Sequence, residues 1–305
     1  MKNKFSIFSF YRFIRIKDKK LIKTKLDECL SQYNVKGTIL LANEGINGAL
    51  SASKKDLNSI IKLIRELLKI RNLNLKINTT SFLPFNKVKV RLKKEIVSLG
   101  KGKIDVRKNN YVDPSEWNLI IKNKDIKVID VRNNFEIDIG KFQDSLNPKT
   151  KSFREFPNKI KQLDLQKDSR IAMYCTGGIR CEKASSYLKA NGYKDVVQLK
   201  GGIINYLEYT KKNKTINLWN GQCFVFDNRV TINRNLLIGD YLQCFGCRRP
   251  IKKKDTKSKY YLKGVHCPHC VNERSDEQKK KSITRQGQLD KINRSQLLSY
   301  KLRIL

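Results

Sequence analysis

The stretch MYCTGGIRCEK, residues 173–183, decides how the middle of this chain folds. Arg170-Ile-Ala-Met-Tyr174 is short and apolar, as in a strand covered on both faces of a parallel sheet. It ends on Cys175, two glycines follow, and Arg180 to Ala190 reads as a helix that Asn191-Gly192 stops. A cysteine at the carboxyl end of a parallel strand lies where α/β sheets carry their functional loops. Backbone N–H groups of Thr176, Gly177, Gly178 and Ile179, with the positive end of the helix, are expected to surround its sulfur. That setting stabilises a thiolate or a persulfide anion. Gly177 and Gly178 are expected to supply positive φ and close backbone approach.

Two anion-cradling loops share this outline. Cysteine phosphatases place five residues between cysteine and arginine, which leaves room for a tetrahedral phosphate. Here four residues separate Cys175 from Arg180, and the next position is Cys181. Tyr174 also stands where those phosphatases usually have histidine. The shorter loop favours a single sulfur atom.

With Val-Ile-Asp130-Val-Arg132 on an earlier strand, the loop resembles a rhodanese domain. The resemblance implies that Cys175 carries the reactive sulfur beside Arg180, and that Asp130 and Arg132 brace the loop region. The bland alternative is an inert thiol in an inactive rhodanese module. Cys181 reads equally as a resolving thiol for Cys175 or as a substitute for a helix-starting Ser or Thr.

The flanking sequence divides into further units. Residues 1–100 read as β-α-β-β-α-β, a ferredoxin-like α+β domain with a split βαβ order. Its strands are expected at Phe5–Ile16, Val35–Leu41, Ala49–Ser51 and Val88–Leu92, with Asn43–Gly48 (NEGING) as a turn. Its helices carry Leu21, Ile22, Leu26, Cys29 and Leu30, and then, behind a Ser53 cap, Leu57 to Leu68; Cys29 reads as a core residue. Residues 112–214 form the rhodanese α/β unit with a parallel sheet, its first helix expected at Asp113-Pro114. Residues 222–274 are small and cysteine-paired, and 275–305 form a basic polar tail, helical or disordered.

Cys244-Phe-Gly-Cys247 and Cys267-Pro-His-Cys270 enclose nineteen residues. Two such knuckles at that separation suit a tetrahedral structural zinc site. Between them lie Arg248, Arg249, Lys252, Lys253, Lys254 and Tyr260. Basic residues beside a tyrosine suit phosphate contact and base stacking, although a solvated loop has the same composition.

Four stretches narrow the resemblance: Gly140–Pro148, Phe153–Pro157, Cys175–Ser185 and ILLANEGINGAL at 39–50. Together they resemble the tRNA uridine hydroxylase family over nearly the whole chain. Lys141 and Asp144 depart from it, standing where histidine and glycine are usual. The resemblance implies oxygen-dependent conversion of the wobble uridine (position 34) of tRNA to 5-hydroxyuridine, with O2 as co-substrate and an electron donor that the sequence does not name. A plain sulfurtransferase and a tRNA-binding module with a vestigial rhodanese core are the competing readings.

Composition agrees with an RNA partner. Lys and Arg number 65 against 28 Asp and Glu, a formal charge of +37 that draws polyanions. Abundant Ile and Asn alongside Lys suggest that AT-rich coding contributes part of that excess. Two histidines, His266 and His269, both sit in the knuckles, which argues against a two-histidine iron site. No G-x-G-x-x-G stretch announces a dinucleotide domain, so no organic cofactor is expected. No apolar run approaches a membrane span or a secretory leader, and unpaired cysteine usage points to a reducing cytoplasm.

Overall fold

The computed structural model describes residues 5–80, 82–101 and 105–302. The outermost residues of the expected first and last units, 1–4 and 303–305, lie outside the described residues.

The chain opens with β1 (Phe5–Phe13), shorter than the expected Phe5–Ile16, with Phe8 and Phe10 buried in the first core. In α1 (Lys19–Ser31) only Leu26 and Leu30 are buried. Leu21 is half exposed and Cys29 only part-buried, so the apolar stripe is narrower than its spacing suggests and Cys29 is no core residue. β2 (Lys36–Ala42) and β3 (Gly45–Ala52) form a hairpin whose turn is only Asn43-Glu44. The rest of the expected turn is strand. Its glycines serve close packing instead: a Cβ on Gly48 would lie 2.6 Å from the Phe10 ring.

α2 (Lys54–Leu68) starts where Ser53 accepts the Asp56 N–H at 3.1 Å, and it buries Leu57, Ile60, Ile61, Ile64 and Leu68. β4 (Asn74–Thr80) was not expected; its side chains are mostly half-exposed at the sheet edge, so little alternation marks it. β5 (Val88–Leu92), expected to close the sheet, is instead a fifth strand. The order is β4-β1-β3-β2-β5. The first four are antiparallel, giving the split βαβ arrangement, and β5 runs parallel to β2.

The second sheet begins with β6 (Asn110–Val112). The Asp113-Pro114 start is a turn, closed by Glu116 N–H on the Asp113 carbonyl at 3.0 Å, and α3 (Trp117–Lys122) begins after it. There follow β7 (Lys127–Asp130), α4 (Asn134–Ile137), β8 (Gly140–Phe142), α5 (Phe156–Lys159), β9 (Ile171–Tyr174), α6 (Ile179–Ala190), β10 (Val196–Leu199) and α7 (Gly202–Asn213). Strands order β6-β10-β9-β7, all parallel. Phe142 centres the core, edge-on to Tyr174 and Tyr206 at 4.9 Å and to Trp219 at 5.1 Å. Asp144 adopts φ +60, which explains why glycine suits that position.

β11 (Trp219–Gly221) pairs back onto β8, and Cys223 joins the same core. β12 (Cys223–Phe224) and β13 (Thr231–Ile232) make a hairpin, as do β14 (Leu242–Gln243) and β15 (Pro250–Ile251) around the first knuckle. The polar tail is a helix, α8 (Asp276–Leu302).

Candidate active site

Cys175 ends β9 with 1% of its surface exposed, and its Sγ accepts the Gly178 N–H at 3.2 Å. Burial opposes charge on this thiol. A hydrogen bond from the Cys181 thiol, the Arg180 charge and the N–H groups of residues 181 and 180 outweigh it, bringing the pKa down to about 6. Cys181 is fully buried; that burial and the neighbouring Cys175 push its own thiol well above the ordinary range. It is therefore the proton donor of the pair, and neither cysteine is in a disulfide.

Of the two loop glycines only Gly178 has positive φ, +97, and a Cβ there would lie 3.1 Å from the Tyr11 hydroxyl. Gly177 does not need that freedom, and a Cβ on it would meet open space. A glycine outside the loop is part of the cradle. Gly202, at φ +67, lets α7 approach so closely that a Cβ would strike the carbonyls of Cys175 and Thr176. The N–H groups of Ile203 and Ile204 bond those carbonyls at 2.9 and 3.2 Å.

Arg180 turns toward Glu136 on α4, with Nη1–Oε2 at 2.6 Å and Nη2–Oε1 at 2.8 Å, and it also reaches the Thr176 hydroxyl at 3.3 Å. Glu136 was not singled out in the sequence. Its signal was the N-x-x-E pattern of Asn133 to Glu136, a capping box that also starts α4. Asp130 and Arg132 form a second buried fork at 2.6 Å, and Arg132 goes on to the carbonyls of Glu136 and Gly140. The two forks hold α4 under the loop.

Glu182 and Lys183 fasten the loop helix to its own sheet and to the first unit. Glu182 accepts hydrogen bonds from Tyr11 (2.9 Å), Tyr111 (3.0 Å), Gln198 (3.0 Å) and Asn109 (2.9 Å). Burial, then the negative charges of Glu182 and Cys175, raise the Tyr11 hydroxyl far above its usual range, so it stays a donor. Lys183, 1% exposed, pairs with Glu44 at 2.8 Å and Glu95 at 2.6 Å. Glu44 lies in the hairpin turn of the first sheet, so two of the stretches behind the family resemblance touch each other.

Comparison with known proteins assigns two stretches of the chain to families. Residues 5–96 match the model described as the UPF0176 acylphosphatase like domain, and residues 113–208 match the rhodanese-like domain. A tRNA uridine(34) hydroxylase of Pelagibacter ubique is 44% identical over 288 residues, covering 94% of each chain. The chain belongs to the tRNA uridine(34) hydroxylase family. Among solved structures, a rhodanese-related protein from Thermoplasma volcanium is 28% identical over 33% of this chain and 92% of its own, at a TM-score of 0.28. A rhodanese-like domain protein from Staphylococcus aureus is 24% identical over 32% of this chain and 90% of its own, also at 0.28.

The hydroxylase family chain carries a second cluster away from the loop. The sulfurs of Cys244, Cys247, Cys267 and Cys270 all lie within 4.8 Å of one another, a set able to hold a metal ion. The two knuckle histidines point elsewhere, His266 to the Tyr260 carbonyl at 2.8 Å and His269 to Asp255 at 3.5 Å. Of the basic residues expected to meet RNA, Arg249, Lys252 and Lys254 line an open groove of about 550 Å³ beside α4. Arg248, Lys253 and Tyr260 are exposed outside that lining. Arg249 is also committed to Glu273, at 2.7 Å. No described helix is long and apolar enough to cross a membrane.

Proposed function

We propose that this chain hydroxylates the wobble uridine of tRNA at C5 to give 5-hydroxyuridine, with Cys175 as the reacting group and O2 as co-substrate. The observation that carries the reading is a thiol tuned to about 6, in a chain 44% identical along 94% of its length to a tRNA uridine(34) hydroxylase. The reaction is of monooxygenase type. One oxygen atom enters the C5–H bond to give the hydroxyl, and the other leaves as water with two electrons and two protons from a separate reductant. A plain sulfurtransferase would need no such full-length match.

Two routes use the thiolate. It adds to C6 and makes C5 nucleophilic, or it carries a persulfide that meets oxygen. The 1% exposure of Cys175 favours the persulfide, because a second sulfur projects about 2 Å beyond the first. In either route the Arg180 charge and the N–H groups of Gly178, Arg180 and Cys181 hold the anion in place; the expected N–H groups of Thr176, Gly177 and Ile179 are not among the sulfur's partners. Cys181 supports it as a hydrogen-bond donor, and Asp130 with Arg132 supports the loop from below.

The knuckle cysteines suit a structural zinc ion. Their sulfurs stand 3.8 to 4.0 Å apart in the pairs 267–270, 247–267 and 244–270. A tetrahedron with Zn–S bonds of about 2.3 Å has edges of about 3.8 Å. Such an ion would fix a segment too short to build a core of its own. The charge of +37 suits tRNA as the partner, and a cytoplasmic setting suits reduced thiols.

Nucleoside mass spectrometry of tRNA from cells carrying the wild-type chain or Cys175→Ser tests the reading. Loss of 5-hydroxyuridine in the variant is expected; undiminished 5-hydroxyuridine overturns it.

A further inference from the structure

Phe226 sits between β12 and β13 with 63% of its surface in water. A single exposed apolar side chain is ordinary. The support beneath this one and its neighbour are not. Its ring stands edge-on against Phe224 at 5.0 Å, and Phe224, almost fully buried, stands edge-on against Phe135 of α4 at 5.4 Å. Arg229 clamps the turn through Asp227 at 2.9 and 2.6 Å. The tip is tied to the first unit, Asn228 N–H to the Pro84 carbonyl at 3.0 Å and its side chain to Asn86 at 3.2 Å. The ring is thus exposed on a turn anchored at both ends.

What it faces is the reactive loop. The Arg180 guanidinium carbon lies 5.8 Å from the Phe226 ring centroid, and the charge of this same arginine lowers the Cys175 thiol. Next to Arg180 in the loop, the space above Gly177 is open. From Phe135, at the foot of the aromatic stack, runs a groove lined by Lys151, Lys252 and Lys254, with Asp138, Asp255 and the Arg249–Glu273 pair also on its walls. A ligand with a flat π face and a neighbouring phosphate matches this arrangement. An unstacked nucleobase on an RNA strand is such a ligand, because a fixed aromatic ring supplies a stacking surface and lysines supply the phosphate contacts.

We infer that Phe226 is the stacking platform on which an unpaired base of RNA rests beside the Cys175 loop. The inference rests on the proposed hydroxylase reading and names how that site receives its base. Stacking is indifferent to base edges, so the platform supplies affinity and placement, and the choice of uracil falls to other groups.

The full chain is irradiated with a stem-loop RNA bearing 5-iodouridine at an unpaired loop position. Light breaks the C5–I bond, and a stacked aromatic ring is captured at C5 with loss of HI. The expected crosslink maps to Phe226 and disappears in Phe226→Ala. In parallel, kcat/KM for 5-hydroxyuridine formation falls about tenfold in Phe226→Ala and Phe226→Leu, the size of one base–aromatic stack, and returns in Phe226→Tyr and Phe226→Trp. Ultraviolet titration of the Cys175 thiolate stays unchanged across the series, which separates base placement from damage to the loop. A crosslink elsewhere, with Phe226→Ala at wild-type kcat/KM, overturns the platform. Were Cys175→Ser to hydroxylate normally, the proposed function would fall while the crosslink still decided the platform. Were Cys175→Ser inactive and Phe226→Ala unimpaired, the platform alone would fall.

Discussion

Glu136 closes both carboxylate oxygens on the Arg180 guanidinium, at 2.6 and 2.8 Å, with its side chain wholly out of water. Burial alone would raise this carboxyl. The charge and hydrogen bonds of Arg180, with Arg132 behind them, hold it below its usual range. The pair orients the arginine whose charge in turn holds the Cys175 thiolate. Glu136→Gln leaves a buried guanidinium without its counter-charge, and removing one partner of such a pair costs about 3–5 kcal/mol. Urea unfolding is expected to register that loss, and a variant as stable as wild type would show the fork to be dispensable.

The Cys175 titration gives a pH prediction with a definite sign. Its folded value, about 6, lies below the value near 8.5 of an unperturbed thiol. The thiolate therefore contributes stability that is complete above about pH 8.5 and is lost as pH falls through about 6. Cys181→Ala removes a hydrogen-bond donor to the sulfur, so the Cys175 midpoint moves upward. Ultraviolet absorbance of the thiolate, followed against pH in both chains, checks the order. A midpoint unmoved in Cys181→Ala would assign the activation to Arg180 and the backbone alone.

How far the sequence carried the fold depended on whether a feature was local. The thiol loop, its strand and its helix follow from eleven consecutive residues, 173–183, because strand, glycine turn and helix start are each set by near neighbours. The cysteine knuckles are equally local in spacing. Asn74–Thr80 escaped because an edge strand buries little and so alternates weakly. Gly45 and Gly48 read as turn formers although they allow close strand packing, since a glycine does not announce which neighbour requires it. Glu136, Tyr11 and Gly202 reach the site from three distant segments, and only the folded topology brings them together. The last two residues of the stretch 173–183, Glu182 and Lys183, are charged positions on α6, and nothing local marks them as the buried anchors they are.

Lys183 supplies the third prediction. It is 1% exposed and holds Glu44 and Glu95 from the first unit against the loop helix. Lys183→Met keeps the aliphatic stem and removes the charge. The carboxylates left behind are part-exposed, so the cost falls toward the low end of the about 3–5 kcal/mol for a broken buried pair. Hydrogen exchange is expected to quicken in α6 and in the hairpin turn together. Quickening confined to one of them would mean that the two units do not depend on this lysine.

Removing the metal should act locally. If zinc occupies the four-cysteine cluster, a chelator or Cys247→Ser releases it and loosens β14, β15 and the loop between the knuckles, because the ion replaces a core there. Zinc content by atomic spectroscopy falls with the number of reactive thiols rising in step. Near-ultraviolet circular dichroism from Trp117 and Trp219 is expected to persist, since both pack in the second core rather than beside the cluster. Simultaneous loss of that signal would show that the metal unit and the parallel-sheet core fold as one.

The groove beside α4 distinguishes useful charge from general charge. Lys151, Lys252 and Lys254 line it, whereas Lys253 is exposed outside it. A chain of net charge +37 binds RNA weakly through any lysine, so affinity at one salt concentration is not decisive. The slope of log affinity against log salt is. Lys252→Gln and Lys254→Gln are each expected to reduce that slope by about 1, the signature of one lost phosphate contact. Lys253→Gln leaves it near the wild-type value. Equal slopes in all three variants would mean that the RNA backbone follows a different path across the surface.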